Sequence, residues 1–178
     1  VIQNAQNTPV KENISEVNTA VGKSALTSNT TGVYNVSTGW CSMVFNTTGG
    51  YNTASGVYSM RANTTGGGNT ASGYASLRNN TTGQLNGAFG HNSLRSNTTG
   101  CYNTASGYQS LYCNTTGCWN IAVGMYSLRY NLGGSCNTAS GGYSMYGNST
   151  GNYNTATGYS ALRCNTTGEL NSAFGNNA

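Results

Sequence analysis

An all-β parallel solenoid, a β-roll of about ten 17-residue rungs, is the fold class this sequence predicts, and three observations predict it. The first is a period. A phrase beginning with Asn and ending four residues later with Gly starts at Asn18, Asn35, Asn52, Asn69, Asn86, Asn103, Asn120, Asn137, Asn154 and Asn171, with no insertion or deletion. The second is a pair of fixed glycines, at the fifth position of all ten copies and the fifteenth of all nine complete ones. The third is an apolar column. The ninth position is always Leu or Met, and the third is Ala in nine of ten copies, with Ser37 the exception. A strict short period means that each copy is one structural unit whose neighbours are the copies before and after it.

Taken in chain order, residues 1–17 have the length of one rung but lack its motif. They hold the only proline, Pro9, and two of the three glutamates, Glu12 and Glu16. They are expected to be an irregular N-terminal cap or subunit-joining segment, and residues 18–178 the repeat domain. Written as one unit, the repeat is N-T-A-S-G-x-Y-S-L-x-x-N-T-T-G-x-x. Two glycines ten residues apart suit a rung with two short strands and two tight turns, because Gly reaches φ > 0 without steric cost. Asn opens each turn region and tolerates the left-handed conformation. Between the turns, the ninth-position Leu or Met is expected to point inward opposite Ala. The tenth position, with Arg61, Arg78, Arg95, Arg129 and Arg163, is expected to point outward, by strand alternation. Ten rungs about 4.8 Å apart make a rod of roughly 45–50 Å. The last copy, Asn171 to Ala178, is half a rung. Either residues 1–17 complete that half rung in the next subunit by strand addition, giving a head-to-tail fibre, or they cap their own rod.

Composition narrows function. Charged residues are 6% of the chain, against roughly 25% in ordinary domains. Such polarity without charge would favour disorder, but stacked identical rungs let Asn, Thr and Ser form ladders with their own copies. Asp is absent, so a Ser-His-Asp device and an Asp-rich calcium roll are both excluded. With three Glu and one histidine, His91, the expectation is no enzyme, no catalytic residue, no metal and no cofactor. A net charge of +4 at regular spacing does not describe a nucleic-acid groove, and no apolar run approaches the ~20 residues of a membrane span.

Four sets of residues are singled out. The phrase N-T-T-G is a glycosylation sequon at Asn29, Asn46, Asn63, Asn80, Asn97, Asn114 and Asn165, with N-S-T at Asn148. Two readings stand, a sugar-coated rod and an internal Asn ladder. Cys101 and Cys118 share one position in adjacent rungs, within disulfide range if the rungs are about 4.8 Å apart. Cys113 and Cys136 form a second, weaker pair, and Cys41 and Cys164 are left over. Disulfides would imply an oxidising, extracellular setting. The Arg column is either an acid-polymer site or a solvated face. The seventeenth position (Tyr34, Tyr51, Leu85, Tyr102, Trp119, Tyr153, Leu170) is either a partner surface or packing over its own turn.

Phrases such as N-T-A-S-G-Y-x-S-L-x-x-N-T-T-G, Asn103 to Gly117, resemble the repeats of tail-fibre-like bacterial surface proteins. More distantly, they are similar to the head repeats of trimeric autotransporter adhesins, whose unit is shorter and for which six cysteines are unusual. The resemblance implies a β-roll rod exposed at a cell or particle surface, frequent trimerisation, and adhesive or structural use. The expectation is therefore a structural subunit of an extracellular fibre, its partner another copy of itself and glycans a further partner. A carbohydrate-binding adhesin is the alternative and an ice-binding protein a third class. Against ice stands the adjacency of the two Thr in each N-T-T-G phrase, which cannot share a flat strand face.

Overall fold

The computed structural model describes residues 17–178. Its strands are β1 (Thr19–Val21), β2 (Val36–Thr38), β3 (Thr53–Ser55), β4 (Thr70–Ser72), β5 (Gly87–Phe89), β6 (Thr104–Ser106), β7 (Ile121–Val123), β8 (Thr138–Ser140), β9 (Thr155–Thr157) and β10 (Ser172–Phe174). They form one ten-stranded parallel sheet in chain order. Every pairing joins equivalent positions, as in Ala54 beside Ala71 and Ala105 beside Ala122. The fold is the expected β-solenoid. The segment assigned as an N-terminal cap lies, apart from Val17, outside the described residues.

Each rung contains one strand, where two were expected. The reason lies at the seventh and ninth positions, which take left-handed backbone in non-glycine residues. Leu111 has φ 49° and Gln109 has φ 52°. Two such residues separated by one cannot continue a strand. Rung-to-rung bonding persists regardless: Leu111 N–H donates to the Ser127 carbonyl at 3.0 Å, and Cys113 N–H to the Arg129 carbonyl at 2.9 Å. Leu111 is fully buried and Arg129 half-buried, so the inward and outward assignments hold through a turn geometry instead of a second strand.

The two glycines serve different purposes. Gly107 has φ 139°, a region closed to other residues. Gly100 does not have positive φ. A Cβ there would stand 2.4 Å from the Gly117 carbonyl oxygen and 2.4 Å from Asn97 Oδ1, so close approach of rungs is what requires it.

The core is thin and half polar. One column of Leu or Met and one of Ala run the length of the rod, and beside them run two buried columns of Asn. Asn97 Nδ2 donates to Asn80 Oδ1 at 2.8 Å and to the Gly100 carbonyl at 2.9 Å. The Gly100 carbonyl also accepts from Asn86 Nδ2 at 2.9 Å, so both Asn columns hold the same arch. Below it, the Thr115 carbonyl receives the N–H groups of Thr98, Thr99 and Gly100 at 2.9–3.3 Å and the Thr98 hydroxyl at 3.0 Å. Burying a Leu contributes about 1.5–3 kcal/mol. Unpaired buried amides would cancel that, which is why the Asn columns and the Leu column occur together.

Candidate functional site

With the core closed, chemistry is confined to the outer columns. The most continuous of these was not evident as a column in the sequence. From Trp40 to Tyr159 a ring from every rung touches the ring of the next. The centroid distances are 5.1 Å for Trp40–Tyr58, 6.1 Å for Tyr58–Tyr74 and 5.0 Å for Tyr74–His91. They continue at 5.4 Å for His91–Tyr108, 5.3 Å for Tyr108–Tyr126, 5.1 Å for Tyr126–Tyr143 and 5.8 Å for Tyr143–Tyr159. The ladder switches between the sixth and seventh positions, so neither column alone displays it. His91, which sequence reasoning left without a role, lies nearly parallel to both Tyr74 and Tyr108, at 21° and 24°.

The tenth-position arginines lean on these rings. Arg61 lies over Phe45 at 4.9 Å and over Tyr58 at 5.9 Å, and Arg78 over Tyr58 at 5.6 Å. Arg129 is the most enclosed. Four rings surround it at 4.8–5.9 Å, and its Nη1 donates to the Tyr130 hydroxyl at 2.6 Å and to the Tyr146 hydroxyl at 3.2 Å. Its Nε donates to Gln109 Oε1 at 2.9 Å. A hydrogen bond from Tyr130, helped by Arg129, lowers the Tyr146 pKa below that of an ordinary phenol. Arg95 Nη1 donates to the Tyr112 hydroxyl. The predicted stripe is therefore one connected strip of guanidinium and phenol groups. The Nε atoms of Arg61, Arg78 and Arg95 are shielded from solvent and have no hydrogen-bond partner.

On another side, the seventeenth-position column is exposed, with Tyr51 at 68%. Tyr34 stacks on Tyr51 at 5.0 Å and Tyr102 on Trp119 at 4.1 Å. Between these pairs the column lapses at Gly68. There a groove of about 480 Å³ runs between Thr48, Thr65 and the pair Tyr51 and Leu85, floored by Gly50 and Gly67. The sheet itself turns its first and third strand residues outward, as in Thr53 and Ser55, a Thr/Ser face that sequence reasoning did not weigh. It is interrupted at β1 by Val21, at β2 by Val36, at β5, where Phe89 lies over Gly87, at β7 by Ile121 and Val123, and at β10 by Phe174.

One open choice takes its second reading, and one expectation is corrected. The asparagines read as sugar acceptors are the inner Asn ladder: Asn46, Asn63, Asn80, Asn97, Asn114 and Asn148 are buried, with the amide nitrogen facing inward. In Asn63 it donates to Asn46 Oδ1 at 2.7 Å and to the Gly66 carbonyl at 2.9 Å, leaving no hydrogen to replace with a sugar. At the rod ends Asn29 and Asn165 are half-buried but keep the same bond, to the Gly32 and Gly168 carbonyls. All six cysteines are free thiols. Cys118 Sγ accepts the Cys101 N–H at 3.1 Å and donates to the Thr116 carbonyl at 3.4 Å, so it meets the backbone of the rung before and not its thiol. In-register stacking holds equivalent Cβ atoms about 4.8 Å apart, wider than the ~3.8 Å of a disulfide. Cys113 and Cys136 are free as well, and burial raises the Cys113 pKa against the pull of Arg129.

No protein-family model, no curated protein and no solved structure matches this chain. The likeness to surface-protein repeats therefore reduces to its coarser content, a solenoid of 17-residue rungs.

Proposed function

We propose that this chain is a length-building segment of an extracellular fibre or filament. One observation carries the reading: the recurrent bonds that leave a rung all run to the rungs beside it, along the rod axis. Strand pairs, both Asn columns and the backbone arches all join a rung to its neighbour, and each bond repeats 17 residues further along the chain. Such a design multiplies identical units along one dimension and spends its polar side chains on stacking. Placement outside the cell rests on the resemblance of Asn103 to Gly117 to surface-protein repeats; the disulfide argument for it no longer applies. Side-by-side trimers and end-to-end filaments are both compatible with a rod of this kind.

Negative-stain electron microscopy of the native material, with antibody labelling of unpermeabilised cells or particles, tests the reading. Thin rods or filaments that label from outside are expected. A compact particle, or label reached only after permeabilisation, would overturn it. A second reading, a carbohydrate-binding rod, is favoured by one observation: the arginine and phenol groups are gathered on one strip of the surface.

A further inference from the structure

The geometry points to that strip as a binding face for a linear anionic polysaccharide, lying along the rod with one sugar per rung. The inference names a ligand class and does not rest on fibre assembly, since a rod that never polymerises presents the same face.

Charge is the first argument. Five arginines lie in one line, while residues 17–178 contain a single acidic side chain, Glu169, which is held by Asn152 Nδ2 at 2.7 Å. A low-charge surface with all its guanidinium groups on one strip and, among the described residues, no carboxylate paired to them is complementary to an anion. Donors are the second. The side chains of Arg61, Arg78 and Arg163 rest on aromatic rings with no hydrogen-bonded partner among the described residues, and guanidinium groups bind carboxylate or sulfate by paired N–H donors. Spacing is the third. Rungs repeat about every 4.8 Å, close to the length of one pyranose residue in an extended chain. A polymer with regular anionic groups therefore comes into register with Arg61, Arg78 and Arg95 on three successive rungs.

The rings decide between a polysaccharide and the rival polyanion, a single-stranded nucleic acid. Nucleic-acid strands are held by bases stacking on free aromatic faces. Here the faces of Tyr74, His91 and Tyr108 already meet one another at 5.0 and 5.4 Å, which leaves no slot for a base between them. Phenol hydroxyls remain, and Tyr112 and Tyr146 occupy the tenth position where Arg is absent, continuing the line of polar groups. Hydroxyl-rich sugars match such edges.

Affinity electrophoresis of the full chain through gels containing polygalacturonate, carrageenan, dextran or poly(dT) tests the proposal. Retardation by polygalacturonate or carrageenan, weakening as salt rises, is expected; which of the two retards more distinguishes carboxylate from sulfate. The triple variant Arg78→Gln, Arg95→Gln, Arg129→Gln, checked for a native circular-dichroism spectrum, is expected to lose affinity about tenfold or more. Arg163→Gln, at an exposed site, serves if the triple variant does not fold, with an expected loss of about two- to fivefold. Four results would overturn the proposal: no retardation by either anionic polysaccharide, equal retardation by dextran, stronger retardation by poly(dT), or unchanged affinity in the folded variants.

Discussion

Asn97 is a side chain used as backbone. Its amide donates to Asn80 Oδ1 and to the Gly100 carbonyl, and its own Oδ1 accepts from Asn114 Nδ2 at 2.8 Å. Replacing it with Ala removes all three bonds and leaves buried partners unsatisfied. The expected loss for Asn97→Ala is about 1–3 kcal/mol, read as a lower urea midpoint, and Asn97→Asp is expected to be worse because it buries a charge. A midpoint unchanged in both would mean that the ladder contributes nothing. The same residue shows where sequence reasoning stopped. N-T-T-G is both a sequon and a tight arch, and the pattern does not say which way the amide faces; only the neighbouring rung decides. His91 was illegible for a related reason. Its partners Tyr74 and Tyr108 share its column, but the ladder continues through Tyr58 and Tyr126, one position along.

At the level of one rung, the register, the buried Leu and the outward Arg were all legible, because a period of 17 fixes neighbours and the column compositions fix sides. The second strand was not. Alternation of Leu and Arg at the ninth and tenth positions looks like a strand, yet Leu77, Leu94 and Leu111 all have φ near 50°. Left-handed backbone in a Leu costs roughly 1–3 kcal/mol unless its surroundings impose it. Complete burial and a backbone bond to the next rung impose it here. Leu111→Ala is therefore expected to destabilise the rod by about 2–5 kcal/mol in urea unfolding. A shift under ~0.5 kcal/mol would show that this column is not the core.

For the whole rod, the nine complete units are interchangeable inside and individual outside. Deleting Asn86 to Tyr102, one complete unit, joins Leu85 to Asn103 with every column in phase, and brings Tyr74 against Tyr108 where His91 had stood between them. This variant is expected to fold cooperatively, with a spectrum like that of the parent. Deleting 16 residues, from Asn86 to Cys101, is expected to misfold because every downstream side chain changes its column. Equal folding of the two deletions would refute strict registry.

The three-donor arch has a further consequence. The Thr98, Thr99 and Gly100 N–H groups converge on one carbonyl of the next rung, and at least the first two of these bonds recur at every rung from Thr30 to Ser149, so any unit is a fit neighbour for any other. A gene built of such repeats can recombine unequally between copies, and each product gains or loses whole rungs without a faulty joint. Rod length is then free to drift by genetic exchange while the cross-section stays fixed, and selection can act on reach separately from stability.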